Sequence, residues 1–547
     1  ALAVVLSAES PPHMSLARNT AVIGGLTLVS RLLGFARDIL LAAALGAGPV
    51  ADAFNAALRF PNLFRRLFAE GAFSQAFVPV YSKTLADQGE KAADTLAAEA
   101  LAVLVLATTV LSAIAIFAMP WINLVLFGGY VDDPEIFRLA TLLTQITMPY
   151  LIAMSVATLF AGALNARGRF FAAAAAPSLL NICLLVAVWF FRDDQAQAAF
   201  AAAIAVTVSG VLQALWVALG ARRAGVRTRP KPPRLSENVK RLLVLAAPAA
   251  LAGGALQLNV IVSTAIASFE EGAIALLSYA DRLYQLPLGL IGVAVGVAML
   301  PRLSRLVQAD DTEGARGALD EAVNLSMAFT LPAAAAMLAM PGFILEGLFS
   351  RGEFTAQNAR DGALALFHYG WGVPAFVLAK IYAPAFFARE DTRAPMRFAL
   401  VSMAINIVLG SALFFALRRF GELGFPGLAI ATSVAAWVNV VLMVGALSRR
   451  GAYAPSAKAT WRFTRIVIVS AVLGVVLWFA TENRAMLEAA LGSKEVAVAA
   501  LILGGGTGYF IMLFLTGSVT ISEVRGAFRR EKGPPGGESA LPPGADG

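Results

Sequence analysis

Between Ser30 and Tyr81 the chain places Arg31, Arg37, Asp38, Asp52, Arg59, Arg65, Arg66 and Glu70 in stretches otherwise apolar enough to lie in lipid. A charged side chain at the centre of a membrane helix costs roughly 2.5–3.5 kcal/mol on insertion scales, so such groups face a polar cavity or one another. The excess is basic, which suits an anionic ligand held inside the membrane. Arginine rather than lysine narrows the chemistry further. Its planar fork makes paired bonds to phosphate, it keeps its charge in a low dielectric, and several forks can share one diphosphate. A cation exporter would instead need carboxylates facing its lumen.

Helical geometry groups these residues. At 100° per residue, Ser30, Gly34 and Arg37 lie within about 60° of one face, and Arg31 and Asp38 share a neighbouring stripe. Asp52, Arg59 and Arg66 recur at heptad spacing, with Pro61 between them freeing a carbonyl and permitting a kink. Either Arg65 or Arg66 should face the cavity, while Arg66 and Glu70, four apart, read equally as an intrahelical pair. Far downstream, Asp281 and Arg282 sit at helix depth in SYADRLYQLP. They read as a local ion pair, or as a basic group contributed by a second half of the molecule. Tyr279 and Tyr284 beside them read as packing residues.

The elements that carry these groups are membrane helices. Hydrophobic residues make up 59% of the 547 and charged residues 14%, and mean hydropathy is +0.73; a globular chain is about a quarter charged. Runs of roughly 20 apolar residues recur along the chain, unlike the short alternating segments of a barrel. About fourteen spans result, at approximately 18–45, 50–83, 92–119, 136–163, 172–191, 198–221, 239–268, 272–304, 315–341, 358–387, 395–417, 424–447, 462–481 and 494–517. Lys83, Lys91, Arg167, Arg169, the run Arg222 to Arg234, Arg302, Arg305, Arg389, Arg393, Arg449 and Arg450 all follow even-numbered spans. By the positive-inside rule those loops, and both termini, are cytoplasmic. The net charge of +8 is therefore mostly topology, and nucleic acid is not an expected partner.

Residues 222–238 form the longest polar connection and divide twelve spans into six and six. The expected organisation is a leader at 1–17, an N-lobe at 18–221, a linker at 222–238 and a C-lobe at 239–447. Two further helices occupy 462–517, and a disordered tail rich in Pro and Gly occupies 524–547. MSLARNTAVIGG at Met14 reads as a natural start, which leaves residues 1–13 outside the fold. Weak echoes link the halves: FNAALRFPNL with YADRLYQLPLGL, and PVYS at 79–82 with PRLS at 301–304. Parallel repeats of this kind build many transporters, with the ligand between the halves. The single cysteine, Cys183, and the two histidines, His13 and His368, offer no metal or redox site, so no metal and no cofactor are expected.

SRLLGFARDILLAAALGAGPVADAF, followed by RFPNLFRRLFAEGAFSQAFVPVY, closely resembles the MurJ (MviN) family, lipid II flippases of the multidrug/oligosaccharidyl-lipid/polysaccharide exporter superfamily. YADRLYQLPLGLIGVAVGVAMLPRLSR, FSRGEFT and KIYAPAFFAREDTRAP extend the resemblance from Met14 to about Arg530. It implies an all-α polytopic membrane protein with two six-helix lobes around a central cavity and two C-terminal helices making a groove into it. It carries the substrate-binding arginines onto Arg31, Arg37, Arg65 and Arg282. Ser30, Gly34, Asp38, Asp52, Arg66, Glu70 and Asp281 stand as supporting cavity positions. The implied substrate is undecaprenyl-diphosphate-MurNAc-pentapeptide-GlcNAc, moved from the cytoplasmic to the periplasmic leaflet of the bacterial inner membrane by alternating access, with no bond made or broken. Membrane lipid and cell-wall synthesis proteins are the further partners it implies. Some relatives are thought to use a sodium site of acidic and amide groups in spans 7, 11 and 12. Here those spans offer Gln257, Asn259, Asn406, Thr432 and Asn439 without a mid-span carboxylate, which points instead to membrane potential acting on the cationic cavity. Two other readings compete: a drug/cation antiporter or O-unit flippase of the same superfamily, and an enzyme acting on polyprenyl phosphates, with Asp132 and Asp133 its best support.

Overall fold

The computed structural model describes residues 16–64, 73–229, 231–289 and 293–518. Arg65, Arg66, Glu70 and the tail at 524–547 lie outside the described residues. The described chain forms nineteen helices and no strand. The first half contains α1 (Leu16–Leu45), α2 (Pro49–Phe64), α3 (Phe73–Gln88), α4 (Glu90–Leu126), α5 (Pro134–Thr147), α6 (Tyr150–Ala166), α7 (Phe171–Phe191) and α8 (Gln195–Arg223). The second contains α9 (Glu237–Ala267), α10 (Ala273–Pro287), α11 (Val293–Gln308), α12 (Thr312–Ala339), α13 (Pro341–Phe349), α14 (Ala356–Phe387), α15 (Arg393–Arg419) and α16 (Phe425–Arg449). Three more follow: α17 (Ala457–Glu482), α18 (Arg484–Leu491) and α19 (Lys494–Leu515).

Among the described residues, every span expected from hydropathy falls on helix, and ten helices are long and apolar enough to cross a membrane. The second span of each half is described as two helices, α2 with α3 and α10 with α11, each pair carrying prolines at Pro61 and Pro79 or at Pro287 and Pro301. The short helices α13 and α18 were not expected, since neither is long enough to leave a hydropathy signal. Polar caps set the helix starts: Asp194, Ser236, Asp311, Thr355 and Ser493 each accept a bond from a backbone N–H in the first turn.

The outer surface is built for lipid. Phe117, Phe190, Val408, Leu503 and Leu515 project from α4, α7, α15 and α19 with most of their surface exposed, far more contiguous apolar area than a soluble protein shows. Trp121, Trp189 and Trp478 stand exposed near one end of α4, α7 and α17, where amphipathic rings mark a membrane interface. This end is called the far end below; the opposite end, where residues 224–236 connect the halves, is the linker end.

Each half packs within itself. In the first, α1 lies on α7, α7 on α8, α6 on α8 and α2 on α5; in the second, α16 lies between α14 and α15, and α12 packs on α14. At the linker end each half is stapled by a buried aspartate from its third span. Asp94 in α4 accepts from the Arg227 backbone N–H at 2.9 Å and from Arg167 at 3.1 Å. Asp320 in α12 accepts from the Tyr453 hydroxyl at 2.8 Å and the Ser456 backbone N–H at 3.1 Å. In both cases the aspartate holds the chain that follows the sixth span. Arg167, read from sequence as a loop charge that reports topology, is itself buried in the first staple, where it also bonds the Tyr81 hydroxyl.

The halves meet in few places: α2 on α10, α1 on α13, and the start of α9 on α3 and α4. The last two spans lie outside this pairing, with α17 against α12 and α19 against α17 and α13. Tyr509 fixes α19 to α12 by donating to the Ala328 carbonyl at 2.9 Å.

Candidate functional site

Where α1 faces α7 and α10, the sequence-marked charges come together. The Arg37 fork donates through Nε and Nη2 to one Asp38 oxygen at 3.0 and 2.6 Å, and through Nη1 to Asn181 at 2.9 Å. Asn181, on α7, donates in turn to the Ser30 carbonyl at 2.9 Å. Gly34 lies against the same Asn181 side chain, at ordinary contact distance for a Cβ. The groove expected on the face of Ser30, Gly34 and Arg37 is thus closed on one side by Asn181, a lone polar group in an apolar run that sequence reasoning passed over.

The second oxygen of Asp38 reaches across to α10. Arg282 Nε lies 3.3 Å from it, and the Arg282 side chain is 49% exposed, against 13% for Arg37 and 11% for Asp38. Of the two sequence readings of Arg282, the local pair with Asp281 is not the one observed; Asp281 instead accepts from the Gln285 amide on its own helix. Asp38 therefore holds two arginines from opposite halves. The contact is an ion pair, and Arg282 makes no hydrogen bond to a described residue. Arg31, one turn and a half before Arg37 on α1, rests its guanidinium against the backbone of Gly289 just beyond α10.

These groups border a cavity lined by Arg37, Asp38, Asn55, Asn62, Ser278 and Arg282, with Leu41, Phe54, Leu180 and Tyr279 among its apolar walls. Arg59, which sequence alone left even between structure and ligand, spans the halves: it donates to Thr264 at 2.6 Å and Ser278 at 3.1 Å. Tyr284 packs between Tyr369 and Phe376, ring centroids 4.8 and 5.0 Å away, as a packing residue should.

Asp52 stands apart from expectation. The sequence offers it as a supporting cavity position, and it is instead wholly buried at the far end, outside the cavity lining. Its carboxylate accepts from the Tyr130 hydroxyl at 2.8 Å and from the backbone N–H groups of Gly272 and Ala275 at 2.9 and 2.8 Å. It thereby caps the first turn of α10 from the other half, at the positive end of that helix. Gly272 has φ +77°, and a Cβ there would come within 2.3 Å of the Ala47 carbonyl oxygen, so glycine is required on both counts. Tyr279 donates to the Gly46 carbonyl at 3.0 Å, and the Glu353 N–H donates to the Ala43 carbonyl at 2.8 Å. Together these bonds shut the far end of the cavity with main-chain partners.

A multi-pass helical bundle whose halves meet around a basic cavity, sealed at one end, defines a membrane transporter of the exporter kind. Its backbone is similar to a solved structure described as lipid II flippase MurJ in an inward closed conformation, with a TM-score of 0.74 at 23% identity over 93% of this chain and 100% of that one. It is also similar to an inward-facing multidrug resistance MATE transporter of the MOP superfamily, with a TM-score of 0.63 at 17% identity over 78% and 98%. The chain belongs to the MurJ family, whose description, lipid II flippase MurJ, matches residues 41–489. A probable lipid II flippase MurJ of Rhizobium meliloti is 41% identical over 94% of this chain and 97% of its own length. The lipid II flippase MurJ of Burkholderia cenocepacia is 35% identical over 92% and 98%.

Proposed function

We propose that this chain moves lipid II, undecaprenyl-diphosphate-MurNAc-pentapeptide-GlcNAc, from the cytoplasmic to the periplasmic leaflet of the bacterial inner membrane. The observation that carries the reading is the Arg37–Asp38–Arg282 bridge, which brings basic groups from both halves to one cavity. A diphosphate offers more charge and more acceptor oxygens than the Asp38 carboxylate, so it competes for the Arg282 fork and draws Arg37 and Arg31 toward it. Arg65 joins them as the further cationic residue of α2's own span, and Asp38 returns the arginines to their places when the ligand leaves.

In this reading residues 18–221 and 239–447 rock as two lobes about the linker at 222–238. The helices within 462–517 guide the polyprenyl tail, which stays in lipid throughout, and both termini are cytoplasmic. No covalent bond changes, so the protein acts as a transporter and not as an enzyme. Each net charge carried across 100 mV is worth about 2.3 kcal/mol, which makes the membrane potential a sufficient bias for the cationic cavity.

The test is depletion of the protein in living cells, complementation with variants, and measurement of lipid II accessible at the outer leaflet. Wild type should restore accessibility, and Arg37→Ala and Arg282→Ala should insert in the membrane without restoring it. Accessibility that never depends on the protein would remove lipid II as substrate, and full activity of a variant lacking Arg31, Arg37 and Arg282 together would remove the clamp.

A further inference from the structure

The second half holds an open cavity of its own, bordered by α9, α14, α15 and α16 and by Leu288 just past α10. Its polar lining is Asn259, Lys380, Ser402, Asn406, Thr432 and Asn439. Asn406 donates to Asn259 at 2.9 Å and accepts from Thr432 at 3.3 Å, so three helices are joined by one amide chain. The other groups are not used up in this way. Ser402, 92% buried, has a hydroxyl with no partner among the described residues, and the same holds for the buried side-chain oxygen of Asn439. Leaving such groups unpaired costs about 1–3 kcal/mol each, a cost that a bound ligand would offset.

Lys380 is the one ionisable group in this lining. A lysine that merely snorkels lays its stem along lipid-facing apolar surface. Lys380, itself exposed, borders a pocket rich in amides and hydroxyls, about 10 Å in from the end of α14 at 1.5 Å per residue, and makes no ion pair or hydrogen bond with a described residue. The set excludes a metal cation, because it holds a positive charge and no carboxylate. It also differs from the arginine clamp: a single ammonium is a point charge suited to one carboxylate, and the amide and hydroxyl groups suit the N–H and C=O groups of a peptide.

We infer that this cavity receives the peptide stem of the transported lipid, with Lys380 pairing a stem carboxylate. The inference rests on the proposed lipid II reading and adds to it the site where the non-lipid, non-phosphate part of the headgroup is recognised. The two cavities are adjacent along one helix. Ser278, Tyr279 and Arg282 face the first and Leu288 the second, and six residues of helix span about 9 Å. A diphosphate at Arg282 therefore leaves its attached sugar and peptide within reach of Lys380. Asn439 and Ser402 would then gain the partners they lack.

The experiment measures binding of two lipids to the full chain in nanodiscs: the undecaprenyl-diphosphate disaccharide with its pentapeptide, and the same lipid without the peptide. Wild type should prefer the peptide-bearing lipid by about ten-fold, equivalent to about 1.4 kcal/mol. Lys380→Gln should abolish that preference while binding the peptide-free lipid as wild type does, which also shows that the variant is folded. Lys380→Arg should keep most of it, and amidation of the stem carboxylates should reproduce Lys380→Gln on the wild-type protein. A preference that survives Lys380→Gln, or equal weakening toward both lipids, overturns the inference and leaves the transport reading intact. A wild-type protein that binds neither lipid overturns both.

Discussion

At the scale of single residues, the site turns on one carboxylate shared by two arginines of unequal freedom. Arg37 is fixed by Asp38 and Asn181 and serves to hold the bridge in place, whereas Arg282 makes only an ion contact and keeps its fork of donors. The fork should therefore matter as well as the charge. Arg282→Lys keeps the charge but not the paired donors, and should lower the transport rate about ten-fold, with Arg282→Ala at least ten-fold below that, as read by lipid II appearing at the outer leaflet. Equal rates for the lysine variant and wild type would show that charge alone suffices. The cluster was legible in the sequence because charges are conspicuous in an apolar chain. What the sequence did not give was the partner of each: Arg282 lies beside Asp281 in the chain, yet it pairs with Asp38 on another helix. Asn181 and Lys380 were missed for a related reason, since a single polar residue within a long apolar run is visible but says nothing about what it faces.

At the scale of helices, the far end is closed by a cap lent from one half to the other. Asp52 satisfies the first N–H groups of α10, a task usually done by a residue just before the helix, and Gly272 leaves that place without a side chain. Asp52→Asn would put amide hydrogens where donors already point and remove the charge. Removal of a charge-assisted buried bond costs about 3 kcal/mol, enough to shift the closed-to-open ratio at that end by about 100-fold. Spin labels at Asp132→Cys and Glu271→Cys, in loops of opposite halves, should report a longer distance population in Asp52→Asn than in the parent. An unchanged distance distribution would show that Tyr279 and Glu353 hold the end closed without it. Heptad spacing had grouped Asp52 with Arg59 and Arg66 along one helix stripe. Asp52 and Arg59 both lie on α2, but depth along the helix separates the seal at Asp52 from Asn55 and Asn62, which line the cavity.

At the scale of the whole molecule, the sequence echoes have a physical counterpart in the paired staples, Asp94 in one half and Asp320 in the other, each tying the third span to the chain beyond the sixth. Sequence comparison of the halves could not reveal this, because the aspartates hold different partners: an arginine and a backbone N–H in one case, a tyrosine hydroxyl and a backbone N–H in the other. Asp94→Ala and Asp320→Ala should each lower thermal stability in detergent by an amount equivalent to about 2 kcal/mol, and the double variant by nearly the sum, since the sites share no partner. A strongly non-additive result would mean that the two staples are energetically coupled or that the halves do not unfold in one two-state step. The seal at the far end carries a different lesson. Asp52 grips the main chain of α10, so exchange of the Ala275 side chain for another of similar size leaves the grip untouched, and on the α10 side this contact asks only for the glycine at 272. Genetic rescue of an Asp52 variant should then arise not from a compensating side chain at 272 or 275 but from residues that set where α10 begins.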